Sequence, residues 1–203
     1  DKGILFRPSD VAVGPDGAVY VTDWFDGRVG GHGTIDNTCS GTIYRIAPKG
    51  FKARVPALDL DTVAGQIAAL KSPAVNVRHL GFTRLKAAGV KSLKPVLEVL
   101  NDSNEFVAAR AIWLLPYLGD AGQAKCADLL THENPRFRMV AYRALRRSGA
   151  GFAEYALKLA KDPSAAVRRD VALSLRHLDA AQSIPVMVEL LQAYDGKDKN
   201  YLE

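Results

Sequence analysis

The chain has 203 residues, of which 48% are hydrophobic and 24% charged, and its formal net charge is +5. This composition is typical of a globular protein with a real core and excludes an intrinsically disordered chain. No apolar stretch approaches the roughly 18 residues that a transmembrane helix needs, and two cysteines cannot build a disulfide framework. From its first and last residues we expect this sequence to be a piece of a longer polypeptide.

Residues 1–55 predict a small antiparallel β segment. Three short strands are expected over 10–13, 18–22 and 41–46, because β-branched and aromatic residues alternate there. Residues 14–17, Gly-Pro-Asp-Gly, predict the tight turn between the first two strands. A three-stranded sheet of this size is marginally stable alone. We therefore expect it either to cap the helical part that follows or to form the last blade of a propeller.

A polar, glycine-rich loop between the second and third strands carries the weak candidates for chemistry. Asp23, Asp26 and Asp36 are candidate metal ligands, since carboxylates beside glycines can wrap Ca²⁺. His32 and Asp36 are candidate catalytic groups, with His32 as a base or a ligand. The same residue types also stabilise irregular turns. One blade cannot supply a complete constellation of catalytic groups, so we expect no complete active site and no cofactor within this chain.

Residues 56–203 predict an α-helical repeat with a period of about thirty residues. A unit of this length cannot bury its apolar face alone and needs a neighbour on each side, so the period predicts a solenoid. The residues that share positions in successive units are Val77, Val107, Phe137 and Val167; Gly81, Ala111, Ala141 and Val171; Leu85, Leu115, Leu145 and Leu175; and Val96, Cys126, Ala156 and Val186. Cys126 is therefore interpreted as a small core residue.

Capping residues place the boundaries of the units. Ser72, Asn134 and Asp162 each precede a proline and are predicted N-caps, and glycines at 89, 119 and 149 are predicted C-caps. The resulting division is a half-repeat 59–71, repeats 72–101, 102–131, 132–161 and 162–192, and the start of another at 195–203. The first helices of the pairs are expected over 73–88, 103–118, 135–148 and 163–178.

The helical part resembles the short HEAT-like, armadillo-like repeats found in phycobilisome-lyase-type proteins. The resemblance rests on Val77-Arg78, Phe137-Arg138 and Val167-Arg168, on the small residue four positions after each valine or phenylalanine, and on the leucine eight positions after it. It implies a right-handed α-solenoid. It also implies that the repeated arginine pairs with an acidic residue of the adjacent unit, for which Asp102 and Asp162 are the candidates. The second repeat departs from the pattern, with Ala108 in place of the arginine.

The β segment resembles one blade of a six-bladed sugar-dehydrogenase-like propeller. The matching stretches are residues 6–17, 19–24 and 41–46. A blade followed at once by HEAT-like repeats is similar to large planctomycete-type membrane-bound dehydrogenase and haem-binding-domain proteins. That resemblance implies a Ca²⁺ or quinone cofactor in the intact propeller and haem c in a further C-terminal domain. It also implies a periplasmic or cell-envelope location.

The first functional interpretation is a non-catalytic protein-binding scaffold and spacer within such a dehydrogenase. Its partners would be flanking domains of the same polypeptide or another protein. Arg78, Arg138, Arg168 and Trp113 are the predicted interaction surface, because the arginines share a repeat position. Two alternatives remain open. In one, the β segment contributes to a sugar or alcohol dehydrogenase active site. In the other, the arginines bind nucleic acid, although interspersed acidic residues argue against it.

Overall fold

The computed structural model describes residues 6–24, 41–53, 55, 57–194 and 196. The protein is mainly helical, with a small three-stranded antiparallel sheet near its N-terminus. Its packing divides into two compact units, Asp1–Arg84 and Leu85–Glu203. The domain boundary predicted between residues 55 and 56 lies between the last strand and the first helix. As a boundary between domains it stays a prediction.

The three predicted strands are present in the first unit. They are β1 (Pro8–Val13), β2 (Val19–Asp23) and β3 (Thr42–Ile46), in the spatial order β1-β2-β3. Val11 lies opposite Val21, which lies opposite Tyr44. Because side chains alternate along a strand, these three residues share one face of the sheet. That face is apolar and partly exposed, with Val11 65% and Tyr44 41% accessible.

A polar cluster holds the β1–β2 turn against β3. Asp16 in the turn accepts hydrogen bonds from the Ala18 N–H (3.1 Å), the Tyr20 hydroxyl (3.1 Å) and Arg45 Nε (2.9 Å). Burial alone would raise the pKa of Asp16, but the Ala18 N–H, Arg45 and Tyr20 outweigh it and hold the pKa below its ordinary value. The carboxyl group of Asp16 is therefore ionised in the folded sheet at neutral pH.

This cluster predicts how the sheet responds to acid. An Asp whose pKa is lowered by folding stabilises the protein above its unfolded pKa of about 3.9. That stability is lost as the pH falls through the folded pKa. We expect the thermal unfolding midpoint of the wild type to fall as the pH is lowered below about 4. We expect Asp16→Asn to destabilise the protein at pH 7 and to show a weaker dependence of this midpoint on pH. Thermal unfolding followed by circular dichroism from pH 7 to pH 2.5 measures both effects, and an unchanged acid limb in Asp16→Asn contradicts the assignment.

Two helices complete the first unit's packing. These are α1 (Val63–Lys71) and α2 (Val75–Ala88), the second of which runs on into the second unit. Ala69, Ala74 and Val77 form a buried cluster, and Val13 of β1 packs against it together with Leu58 and Leu60. The small sheet thus gains the apolar contact that it needs for stability.

The second unit contains seven further helices within its described residues. They are α3 (Leu93–Val99), α4 (Glu105–Leu114), α5 (Asp120–Asp128), α6 (Pro135–Ser148), α7 (Phe152–Leu159), α8 (Ala165–Ser174) and α9 (Ala180–Gln192). Short 3₁₀ turns follow α4, α5 and α8. Within the described part of the chain no helix is both long and apolar enough to span a membrane.

Helices at equivalent positions pack on each other in this unit. Helix α6 contacts both α4 and α8, and α7 contacts α9. Most of the residues spaced by thirty lie in its interior, while Phe137 and Leu175 are half-buried. Ala111, Ala141 and Val171 are fully buried, as are Leu115 and Leu145 and also Cys126 and Ala156, while Val186 is 1% exposed. The spacing in the sequence therefore marks the core of this unit.

Helix starts agree with the predicted capping in one case and differ in two. Asn134 is the N-cap of α6, with Pro135 as the first helical residue, as expected. Ser72 and Asp162 are not N-caps. Ser72 Oγ accepts the Ala74 N–H (3.2 Å) and Asp162 Oδ1 accepts the Ser164 N–H (2.8 Å). The two helices begin later than predicted, at Val75 and Ala165, and the side-chain bonds of Ser72 and Asp162 form turns that precede them.

Candidate functional site

A cleft of about 480 Å³ in the second unit is the best candidate for a binding site. Its lining residues are Trp113, Arg143, Arg146, Arg147, Phe152 and His177. They come from α4, from α6 and α7, and from the 3₁₀ turn after α8. Trp113 and Arg143 are thirty residues apart, and so are Arg147 and His177. The cleft therefore draws its lining from three of the thirty-residue segments that the sequence predicts as repeats.

Aromatic side chains form the apolar part of this cleft. Trp113 and Phe152 are both half-buried, so part of each ring is accessible. The Phe152 ring lies 6.0 Å, centroid to centroid, from the fully buried ring of Tyr142. The Tyr142 hydroxyl in turn hydrogen-bonds Ser174 Oγ at 2.6 Å, which ties α6 to α8. Burial raises the pKa of Tyr142 to about 12, so this tyrosine stays neutral at ordinary pH.

Cationic side chains form the polar part of the cleft. Arg143 makes a bidentate ion pair with Asp170 of α8, with its shortest N–O distance 2.7 Å. This bond to Asp170 raises the pKa of Arg143. Arg146 and Arg147 stand in the last turn of α6, and in the described part of the chain neither has an ion-pair partner. The cleft thus has a positive charge that the protein's own described carboxylates do not neutralise.

Aromatic and basic side chains also contact each other elsewhere in the second unit. Lys86 Nζ lies over the Tyr117 ring at 3.8 Å from its centroid, a cation–π contact. Arg176 Nε donates to His177 Nε2 at 3.2 Å. Tyr117, Arg147 and His177 are spaced by thirty. Aromatic or basic side chains therefore recur at a spacing of thirty residues, in or just after α4, α6 and α8.

Two of the three arginines predicted to form the interaction surface are buried. Arg138 and Arg168 are buried, at 8% and 6% exposed, and Arg78 is half-buried. Each turns back onto the loop before its own helix: Arg78 Nη1 donates to the Pro73 carbonyl (2.7 Å), Arg138 Nη1 to that of His132 (2.7 Å) and Arg168 Nη1 to that of Asp162 (2.8 Å). These carbonyls lie five or six residues before the arginine. The repeated arginine therefore clamps the connection between helices, whereas Trp113 does line a surface cleft.

The pairing of a repeated arginine with an acidic residue of the next repeat is confirmed for Arg138. Its Nε and Nη2 each donate to Asp162 at 2.7 Å, and the Asp162 side chain is 3% exposed. The bond to Asp162 raises the pKa of Arg138. Since Arg138 also holds the His132 carbonyl, one guanidinium joins two consecutive interhelical connections.

Cys126 is a core residue, as its repeat position predicts. It is fully buried, and its Sγ lies 3.6 Å from the Ala141 carbonyl and 3.9 Å from that of Ile112. Burial raises the pKa of the Cys126 thiol to about 12. Because the thiolate is the reactive form, this side chain is not a nucleophile at neutral pH.

The loop candidates fall mostly outside the described residues. This applies to Asp26, His32 and Asp36. Asp23 is described: it is buried, and its Oδ1 accepts the Arg7 N–H at 2.8 Å. That bond fastens the start of β1 to the end of β2. Within the described ranges, no three His, Cys, Asp or Glu side chains converge as a metal centre requires.

Five residues of the cleft were not predicted: Arg143, Arg146, Arg147, Phe152 and His177. The sequence signal that could have indicated them is the thirty-residue spacing, which pairs Trp113 with Arg143 and Arg147 with His177.

No protein-family model matches the chain, and no curated protein matches its sequence.

Proposed function

We propose that the helical part is a right-handed, HEAT-like α-solenoid that works as a non-catalytic scaffold for binding another protein segment. One observation carries this proposal: helices at a spacing of thirty residues contact each other, and most of the residues that share a predicted repeat position are buried. A stack built in this way offers its outer side chains as one continuous surface, which is how repeat proteins bind their partners.

The clamp made by Arg138 supports this reading. It links two connections between helices and pairs with the following unit through Asp162, so neighbouring units hold a fixed orientation. A fixed spacing between units keeps the residues of a surface cleft in place without a ligand. Preorganised sites of this kind lose less free energy to ordering when they bind.

We further propose that this scaffold belongs to a larger quinone- or haem-linked dehydrogenase. The three-stranded sheet, with its blade-like sequence, precedes the helices directly. Its face with Val11, Val21 and Tyr44 is apolar and partly exposed. Val13, which shares this face with Val11, packs on the helices of the first unit, and an adjacent propeller blade would cover the part of the face that stays exposed. The scaffold would then space a dehydrogenase propeller from an electron-accepting haem domain.

Crosslinking with mass spectrometry on the full-length polypeptide tests the scaffold function. We expect lysines of the helical part, such as Lys125 and Lys158, both exposed, to crosslink to the propeller and haem domains. Crosslinks confined to the chain's own residues, together with no bound partner protein, would contradict the proposal.

Nucleic-acid binding through Arg78, Arg138 and Arg168 has lost support, because two of these three cations are buried.

A further inference from the structure

We propose that the cleft lined by Trp113, Arg146 and Arg147 binds an acidic peptide segment of a partner protein, in which an apolar side chain is flanked by carboxylates. This inference rests on the proposed scaffold function and names the chemistry of its partner. The occupant would insert its apolar side chain between Trp113 and Phe152 and pair its carboxylates with the arginines at the end of α6.

The cleft has the size and the lining for one such side chain. Its volume of about 480 Å³ falls within the range of about 300–1,000 Å³ that ligand pockets occupy. Trp113 and Phe152 leave part of their rings accessible in the cleft. Aromatic anchors of this kind dominate the energetics of protein interfaces. An apolar side chain entering here would be removed from water by rings that are already held in place.

The charge of the cleft selects an anionic occupant. Asp170 is already bound by Arg143 in a bidentate pair, so it offers little repulsion. Arg146 and Arg147 have no ion-pair partner within the described residues. Guanidinium groups bind carboxylates with two parallel hydrogen bonds. The position of both arginines in the last turn also suits the negative end of the helix dipole, but that effect does not account for the aromatic cleft beside them.

A peptide fits these observations better than a nucleic acid does. Duplex binding needs cations that follow the phosphates over several units, and Arg138 and Arg168 are turned inward onto backbone carbonyls. Exposed carboxylates at Asp120, Asp128 and Glu154 lie in the same unit. They would repel the phosphates of a duplex that extends beyond the cleft, whereas a short peptide confined to the cleft meets fewer of them.

Tryptophan fluorescence gives a direct readout of this site. The chain has two tryptophans, so Trp24→Phe in the 203-residue protein leaves Trp113 as the reporter. The probe is a capped heptapeptide with one phenylalanine flanked on each side by three glutamates. We expect a saturable change in Trp113 fluorescence that weakens with added salt. Peptides with glutamine for glutamate, or glycine for phenylalanine, are expected to bind about tenfold more weakly or worse.

Paired variants separate the cleft from general charge attraction. Arg146→Gln/Arg147→Gln is expected to weaken binding by about tenfold or more. The control Lys125→Gln/Arg169→Gln removes two exposed positive charges outside the lining of the cleft and is expected to change binding by less than about twofold. Circular dichroism checks that each variant is folded, and the single variant Arg147→Gln replaces the double variant if that one unfolds.

Three results would overturn the inference. The first is no saturable change in Trp113 fluorescence up to about 1 mM peptide. The second is an equal loss of peptide binding in both double variants. The third is a 12-base-pair DNA duplex that binds more tightly than the peptide, displaces it and depends on Arg146 and Arg147. If crosslinks to partner domains form while the peptide does not bind, the scaffold function stands and the assignment of this cleft fails. If the peptide binds and no crosslinks form, the dehydrogenase context fails instead.

Discussion

Replacing Arg138 by alanine is expected to lower the free energy of unfolding by about 3–5 kcal/mol, the usual cost of removing one partner of a buried ion pair. The loss leaves the Asp162 carboxylate buried without its two guanidinium bonds of 2.7 Å. It also releases the carbonyls of His132 and Glu133, which Arg138 Nη1 holds at 2.7 and 2.9 Å. Urea unfolding monitored by circular dichroism measures the change.

Arg136→Ala is the matched control for this substitution. Arg136 lies two residues away on α6 and pairs with Glu105, but its side chain is 67% exposed and that of Glu105 is 39% exposed. Exposed ion pairs contribute about 0–1 kcal/mol, so we expect a small effect. The double variant Arg138→Ala/Asp162→Ala is expected to recover part of the loss, because it removes the unpaired carboxylate. Equal effects of Arg138→Ala and Arg136→Ala would contradict the clamp.

Leu145→Ala is expected to cost about 2–5 kcal/mol, the range for truncating a fully buried leucine. Leu145 is 0% exposed and belongs to the repeat position shared with Leu115. Its side chain fills space within the core of the second unit, so its loss leaves a cavity that rigid neighbouring helices cannot close. The same urea titration measures the change in unfolding free energy.

Leu173→Ala tests whether repeat position decides the result. Leu173 lies on α8 and is 62% exposed, so we expect a change of about 0.5 kcal/mol or less. Both substitutions remove the same atoms from a helix, and only their position in the repeat differs. A loss at Leu173 equal to that at Leu145 would show that the thirty-residue register does not define the core.

The sequence was sufficient to predict the strands and most of the buried positions spaced by thirty residues, although Phe137 and Leu175 at such positions are half-buried. Burial follows from short-range rules: apolar residues at a fixed spacing must face the same way, and Cys126 lies at such a position and is buried. The strands of residues 1–55 follow equally from alternation and from the turn at residues 14–17. Helix starts could not be predicted from the capping residues alone, because Asn134 and Asp162 each accept a bond from the amide two residues on, yet only Asn134 is an N-cap.

The candidate site could be predicted only in part. Trp113 was identified, but Arg138 and Arg168 were assigned to a surface from which they turn away. An arginine side chain is long enough to reach either solvent or a carbonyl five residues earlier, and a repeat position does not specify which. Arg146 and Arg147 looked like ordinary basic residues at a helix end. Their relation to Phe152 depends on how α6 and α7 meet, which the sequence pattern does not encode.

Inserting one extra unit is the most direct test of the proposed stack. A second copy of residues 102–131, placed after residue 131, adds one whole thirty-residue repeat in register. This unit carries Ala108 in place of the repeated arginine and Ile112 in place of Tyr142. The new junction therefore breaks no buried ion pair and leaves no buried hydroxyl without a partner. A copy of residues 117–146 inserted at the same point is the control, because it has the same length but is half a repeat out of register.

If each unit buries its apolar face against its neighbours, the insertion in register yields a folded protein. Its helical circular dichroism signal rises with its length, and its unfolding midpoint is at least that of the parent. The control insertion is expected to lose cooperative unfolding. If the insertion in register unfolds the protein as completely as the control does, the helices form a closed core of fixed size, and the stacked scaffold is contradicted.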